Sequence, residues 1–338
     1  MDISGGPTHQ GTQRTDLVLE GGGVKGIALV GAVLGLAGGG YTFPRIAGTS
    51  AGAIVGALLA AVQRSGEPVA RLSEIARSLD YTKFRDRGFP GKLLGPFGLL
   101  GDGLSVVFEG GAYEGDYLAD WLGGVLRDLG VETFGDLRLD DPGGDGAMHH
   151  RYRLVVMASD LSRRRLAQLP WDYGEYGLDP DEQRVVDAVR ASASIPYFFE
   201  PVSLRGVRGT STLVDGGLLS NYPISTFDRL DETPPRWPTI GVRLDAPEAD
   251  GSAAPRPVRG PVSTGIALVQ TAIEACQAEH VLDRCNVARS VYVDTAGVEA
   301  IEFGLTGAEQ ERLLQAGEEG ARSFLAGWDF ADWLATCR

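Results

Sequence analysis

Basic residues, cysteine, histidine and long apolar stretches are all scarce in this chain of 338 residues. Its 31 Lys and Arg residues stand against 45 Asp and Glu residues, which gives a formal net charge of −14. This charge opposes binding along a phosphate backbone, so we expect no nucleic-acid partner. No segment is long and apolar enough to span a bilayer, and residues 1–15 lack the features of a signal peptide. A cytoplasmic location is therefore expected.

The three cysteines, Cys276, Cys285 and Cys337, lie late in the chain at spacings that match no common metal site. Three thiols cannot all pair within one chain, and cysteine is often buried as a small hydrophobic residue. We therefore interpret all three as structural thiols in a reducing compartment.

Glycine, in contrast, is abundant, with 48 residues, and two glycine clusters follow short apolar segments. Residues 17–19 are apolar and lead through three glycines into a helical segment at 26–37. Residues 45–48 lead through a sharp turn into a second helical segment at 51–64. Strand, turn and helix repeated in this order are typical of βαβ units, so the sequence predicts an α/β fold with a parallel sheet.

The second cluster fits the G-x-S-x-G nucleophile elbow, with Gly48 and Gly52 on either side of Ser50. In such an elbow the glycines allow a sharp turn that leaves the serine hydroxyl at the start of a helix. We interpret Ser50 as a nucleophile, and a serine that only caps the helix is the alternative. A similar run at 209–213 lacks the second glycine and precedes a strand, so Ser211 is interpreted as a turn residue.

The first cluster allows several interpretations, and it reads Gly21-Gly22-Gly23-Val24-Lys25-Gly26. A dinucleotide site needs an acidic residue about 20 positions further on, but none lies between Glu20 and Glu67. A phosphate-binding P-loop needs Ser or Thr after Gly-Lys, which is also missing. An oxyanion hole uses the open backbone amides and would serve Ser50, while a turn without a ligand stays open. Lys25 adds positive potential to the loop or extends into solvent.

A serine nucleophile needs a general base, and Asp215 is the best candidate. It follows a predicted strand and precedes Gly216 and Gly217, which places its carboxylate on a tight turn. The four histidines, by comparison, lie in the leader, a glycine-rich turn and a long helix. A carboxylate that only stabilises a turn is the alternative interpretation.

Together these motifs resemble the patatin-like phospholipases, which carry a G-G-G-x-[KR]-G loop, a G-x-S-x-G elbow and a D-G-[GA] motif in this order. Residues 191–202 and 221–223 also resemble the family, and the resemblance covers about residues 15–245. It implies a three-layer α/β/α sandwich around a mainly parallel sheet. It further implies a Ser50–Asp215 dyad without histidine, and hydrolysis of lipid acyl esters with no metal and no cofactor.

The resulting hypothesis is a serine hydrolase of the phospholipase A or lysophospholipase type. Ser50 attacks the ester, Asp215 takes its proton, and amides of Gly22, Gly23, Val24 and Ala51 hold the oxyanion. An acyltransferase or a small-ester esterase would use the same dyad. A noncatalytic ligand-binding or regulatory module is an alternative of another class. We expect no calcium, because the sequence lacks an acidic calcium-binding loop.

We expect one domain over residues 16–338 after a flexible leader at residues 1–15. Residues 81–111 are rich in glycine, proline and large apolar residues, and a loop this long usually has a function. They are interpreted as a lid or lipid-access insertion that contacts a membrane surface, with a loop packed on the core as the alternative. Residues 246–261 are expected to form a surface loop. No oligomeric state is predicted.

Overall fold

The fold is built on one central sheet, which the computed structural model shows with helices around it. The described residues are 13–80, 83, 111–113, 115–140, 151–229, 231, 233–244, 258, 260–295, 297–298 and 304–337. The strands are β1 Gln13–Arg14, β2 Asp16–Leu19, β3 Tyr41–Thr42, β4 Ile46–Thr49, β5 Gly111–Tyr113, β6 Leu154–Asp160, β7 Arg165–Leu169, β8 Tyr197–Phe199, β9 Val202–Gly206, β10 Gly209–Asp215, β11 Thr239–Leu244 and β12 Ser290–Val293. The α-helices are α1 Gly26–Gly38, α2 Ala51–Ser65, α3 Arg71–Ser78, α4 Asp116–Asp128, α5 Val185–Ser192, α6 Gly217–Ser220, α7 Pro261–Leu282, α8 Arg284–Ala288, α9 Gly307–Leu325 and α10 Phe330–Cys337.

The central sheet has the strand order β12-β11-β2-β4-β6-β10-β9, and β7 also pairs with β6. Neighbouring strands from β12 through β6 are parallel, whereas β7, β9 and β10 pair antiparallel. The prediction of an α/β fold with a mainly parallel sheet is confirmed. Within the described residues, none of the helices combines the length and apolar character needed to cross a membrane.

Strands β4 and β10 meet end to end along one edge of β6. Thr49, the last residue of β4, lies opposite Met157, while Asp215, the last residue of β10, lies opposite Ala158. Strand β7 pairs with residues 156–160 of β6 and so occupies the other edge. Ser50, which follows β4, and Asp215, which ends β10, therefore lie next to each other where the two strands end.

The two faces of the sheet bury different sets of side chains, because side chains alternate along a strand. On one face Leu17 and Leu19 join a large core with helices α1 and α2. On the other face Val18 packs in a smaller core that includes Tyr222 and Phe227. The sheet is thus covered on both sides, as the three-layer arrangement requires.

Two expectations about individual residues are wrong. Cys285 and Cys337 form a disulfide, so they are not free thiols, and the inference of a reducing compartment loses this support. The spacing of 52 residues between them gave no sign of this pair, because α10 folds back beside α8 only in the tertiary structure. Ser211 is not a turn residue, since it lies buried within β10.

The structure describes only part of the predicted leader and little of the two predicted loops. Within the predicted leader, Gln13 and Arg14 form strand β1, which pairs with β3, and Thr15 is buried. Residues 1–12 lie outside the described residues. The predicted lid at 81–111 and the predicted surface loop at 246–261 also lie outside them except at a few positions.

Helices α1 and α9 cross at a distance that only glycine allows. A Cβ atom added at Gly31 would lie 1.9 Å from the carbonyl oxygen of Leu314, and one at Gly317 would lie 2.0 Å from that of Ala28. Real Cβ atoms do not approach backbone oxygens this closely, so larger residues would separate the helices. This packing fixes α1, which begins next to the glycine loop.

We expect Gly31→Ala to destabilise the protein by about 1–3 kcal/mol, because its methyl group overpacks the crossing. The free energy of unfolding in urea measures the effect. Gly38→Ala is the matched control, since Gly38 is the last residue of the same helix and a Cβ there meets nothing within 4 Å. Equal stability of the two variants would contradict the prediction.

Candidate active site

The elbow around Ser50 has the sharp geometry that its glycines predict. Ser50 precedes α2 with φ 52° and ψ −118°, a conformation that costs energy for a residue with a side chain. A Cβ atom at Gly48 would lie 2.3 Å from the carbonyl oxygen of Gly52, and one at Gly52 would lie 2.2 Å from that of Leu19. The chain can therefore make this turn only with glycine on both sides.

Ser50 and Asp215 are separated by 165 positions in sequence and are joined by a hydrogen bond. The Ser50 hydroxyl donates to Oδ2 of Asp215 over 2.7 Å, and both residues are buried. The other carboxylate oxygen, Oδ1, accepts from the backbone N–H of Gly217 over 2.7 Å. Both oxygens of the carboxylate thus accept hydrogen bonds, and Oδ2 is the one that accepts from the serine hydroxyl.

Burial raises the pKa of Asp215 to about 6, because the charged carboxylate has lost its water. The hydrogen bonds from Ser50 and Gly217 oppose this rise, since both stabilise the charged form. The carboxylate is therefore ionised at neutral pH, yet it binds a proton more readily than an exposed aspartate. Such a pKa suits a general base.

The two glycines after Asp215 allow its turn to pass close to the sheet. A Cβ atom at Gly216 would lie 2.2 Å from the carbonyl oxygen of Met157. One at Gly217 would lie 3.0 Å from Oδ1 of Asp215, where it would crowd the carboxylate. Close packing therefore explains why both residues after Asp215 in the D-G-G motif are glycine.

The glycine loop runs beside the nucleophile. Gly23–Lys25 form one 3₁₀ turn between β2 and α1, and the first amides of a helical turn have no partner within it. A Cβ atom at Gly21 would lie 3.3 Å from Cβ of Ser50, and one at Gly26 would lie 3.4 Å from Cβ of Ala51. The starts of α1 and α2 therefore lie together at Ser50, where their dipoles favour negative charge. Lys25 is half-buried at the end of the 3₁₀ turn.

Asn221 anchors the start of the glycine loop, a role that no sequence motif indicates beyond the resemblance of residues 221–223 to the family. The N–H of Gly21 donates to the carbonyl of Asn221 over 3.0 Å. The side-chain amide of Asn221 donates back to the carbonyl of Gly21 over 3.2 Å. This reciprocal pair fixes the loop to the segment that follows Asp215.

Ser192 is a second residue that sequence reasoning missed, and it contacts both halves of the site. Its buried hydroxyl accepts from the backbone N–H of Ser50 over 2.9 Å. Its carbonyl accepts from the N–H of Gly216 over 3.2 Å, and the carbonyl of Ser194 accepts from the N–H of Asp215 over 2.9 Å. The end of α5 therefore connects the elbow to the aspartate turn.

An apolar cavity that is open to solvent reaches Ser50. Its walls come from α1 to α4 and from residues 193–199. Among the described lining residues, Ser50 carries the one hydroxyl group and none is charged. The site thus offers a hydroxyl, a carboxylate and backbone amides at one end of an apolar space.

The described part of the chain holds no group of three or more His, Cys, Asp or Glu side chains placed to bind a metal ion. His9, His149 and His150 lie outside the described residues. The chemistry that this arrangement supports on its own is proton transfer from Ser50 to Asp215 and attack by the freed oxygen on an electrophile.

Comparisons with known proteins identify a family profile and a bacterial relative. A sequence profile described as Patatin-like phospholipase matches residues 17–228. The Bacillus subtilis (strain 168) protein described as Uncharacterized protein YqhO is 36% identical over 318 residues, which cover 93% of this chain and 99% of that protein.

A solved structure, that of VipD from Legionella pneumophila, matches with a TM-score of 0.50 and 19% identity. The match covers 92% of this chain but 66% of the VipD chain, and at this identity it shows a shared fold alone. The family profile, in contrast, extends over more than half of the sequence and includes all three motifs. The chain belongs to the patatin-like phospholipase family.

Proposed function

We propose that the protein is a lipid acyl hydrolase of the phospholipase A or lysophospholipase type, with Ser50 as nucleophile and Asp215 as base. Membership of a phospholipase family supports lipid hydrolysis. The observation that carries the residue assignment is the 2.7 Å hydrogen bond from the Ser50 hydroxyl to a buried carboxylate. The apolar cavity beside Ser50 supports an acyl substrate.

In the first half of the reaction, Asp215 takes the proton of the Ser50 hydroxyl while the oxygen attacks the ester carbonyl. The carbonyl oxygen becomes negative, and amides of the Gly22–Val24 segment and of Ala51 donate to it. Each such donor typically contributes a factor on the order of 10² to 10³ in rate. The intermediate expels the alcohol, which receives the proton from Asp215, and the acyl group remains on Ser50.

In the second half, Asp215 takes a proton from water, and the oxygen of that water attacks the acyl carbonyl. The bond to Ser50 breaks, the serine oxygen receives the proton from Asp215, and the fatty acid leaves. If an alcohol replaces water in this step, the same residues transfer the acyl group. Product analysis with and without an alcohol acceptor therefore separates a hydrolase from an acyltransferase.

Membrane contact through residues 81–111 remains a prediction, because this segment lies almost wholly outside the described residues.

The dyad is tested with Ser50→Ala and Asp215→Asn on a panel of phospholipids, lysophospholipids and neutral lipids. We expect each variant to lose at least about 10³-fold in rate, because each removes a participant in proton transfer. Mass spectrometry of the products names the substrate class. Labelling by a fluorophosphonate should also disappear in Ser50→Ala.

The matched control is Ser211→Ala, which removes a buried serine from a similar G-T-S sequence away from the dyad. It should keep both hydrolysis and labelling. Full activity of Ser50→Ala would disprove the nucleophile assignment. Asp215→Asn should unfold at a urea concentration no lower than the wild type, since it removes a buried charge.

The raised pKa of Asp215 predicts an acidic limit to activity. Only the ionised carboxylate can accept the serine proton, and this form is lost as the pH falls through about 6. We expect kcat/KM to fall about tenfold per pH unit below that value and to stay level above it. Unfolding midpoints at the same pH values show whether the protein remains folded. A level profile across that range would argue against Asp215 as the base.

Ser192 is expected to act as a positioning residue. Ser192→Ala removes the acceptor for the Ser50 amide, so the strained elbow can relax and misplace the nucleophile. We expect kcat to fall on the order of 10²-fold, with little change in KM and a parallel loss in the rate of fluorophosphonate labelling. Ser290→Ala removes another buried serine, one bonded to Tyr222, and should leave kcat unchanged in the folded protein. Equal kcat for both variants would refute the role of Ser192.

A further inference from the structure

The apolar cavity extends along α2 as far as Leu58, and we propose that its depth limits the acyl chain to a medium length, with Leu58 at the closed end. This inference rests on the proposed function, because it requires that the acyl carbonyl bind at Ser50. It adds a substrate class and a specificity-determining residue. The argument depends on the direction of α2, the spacing of the lining residues and the packing beyond them.

The cavity follows helix α2 away from the nucleophile. Ser50, Ile54 and Leu58 all line it, and their spacing of four residues places them along one face of the helix. A helix rises 1.5 Å per residue, so Leu58 lies about 12 Å from Ser50 along the axis. A fully extended chain advances about 3.5 Å per three bonds, so an acyl chain of this length contains roughly ten carbons.

Packed side chains close the cavity beyond Leu58. The next residue on this face of α2 is Val62, which is fully buried in the core and does not line the cavity. Helix α1 shows the same change, because Val30 lines the cavity and Val33 is fully buried beyond it. Helix α3 contributes Ala76 to the wall. A longer chain would have to displace side chains of a close-packed core.

The open side of the cavity must then hold the rest of the substrate. The described lining residues are apolar or backbone-lined apart from Ser50 and favour an acyl chain over a charged head group, which would lose water against them. The acyl chain therefore occupies the cavity, while the alcohol part of the ester points to solvent. Esters that carry a medium-length acyl chain fit this cavity best.

The experiment measures kcat/KM for p-nitrophenyl esters from acetate to palmitate with the wild type, Leu58→Ala, Leu58→Phe and Leu59→Ala. The wild type should prefer chains near decanoate. Leu58→Ala deepens the cavity by the length of about two carbons and should raise the ratio of dodecanoate to decanoate hydrolysis on the order of tenfold. Leu58→Phe shortens the cavity and should move the preference towards hexanoate.

Leu59→Ala is the matched control, because Leu59 is the next residue of α2, is equally buried and does not line the cavity. It loses the same side-chain atoms but should keep the wild-type preference. The preference is a ratio between substrates, so a smaller folded fraction does not change it.

The outcomes separate this inference from the proposed function. Hydrolysis of the esters with an unshifted preference in both Leu58 variants, or a wild-type rate that rises steadily to palmitate, would overturn the depth limit and leave the hydrolase intact. Failure of the wild type to cleave an ester of any length would overturn both. A shift in Leu59→Ala equal to that in Leu58→Ala would also overturn the assignment of Leu58.

Discussion

The meeting of two strand ends on β6 is the constraint on which the rest of the site depends. Strand β4 ends opposite Met157 and β10 ends opposite the next residue, Ala158, from the opposite direction. Neither the Ser50 elbow nor the Asp215 turn could reach the other if the register shifted, because a one-residue slip turns every side chain to the other face. Sheet pairing therefore sets the 2.7 Å contact between hydroxyl and carboxylate.

Several features of the site oppose stability, and the surrounding packing holds them in place. Ser50 has a strained backbone, and Asp215 carries its charge in a buried position. Hydrogen bonds from Gly217 to the carboxylate, and from the Ser50 amide to Ser192, reduce these costs. Strand β4 precedes the elbow and the buried helix α2 follows it, and α1 packs against α2 in the same core. Strain and a raised pKa are typical of functional sites, where a rigid scaffold maintains them.

The site also has a polarity that suits an ester with an apolar chain. Helix α1 begins at Gly26 and α2 at Ala51, so the positive ends of both helices lie beside Ser50, where the proposed reaction would form an oxyanion. The same two helices, as they run away from Ser50, supply apolar walls to the cavity. The two helices therefore favour negative charge beside Ser50 and provide apolar walls further from it. This dual role follows from the close approach of Gly26 to Ala51.

The amino-acid sequence alone is enough to predict the local turns and the type of sheet. The glycines at 21–26, 48, 52 and 216–217 are steric requirements of turns a few residues long, and alternating strand and helix patterns determine parallel pairing. It could not determine the contacts of Ser192 and Asn221, the disulfide or the cavity. The hydrogen bonds and the disulfide join residues 52 to 200 positions apart in sequence, and no motif near either partner indicates the pairing. Ser211 shows the converse, because its G-T-S run resembles the elbow while its pairing with β9 places it within a strand. Only tertiary packing brings such residues together, since pairing register and helix direction depend on the whole core rather than on neighbours in sequence.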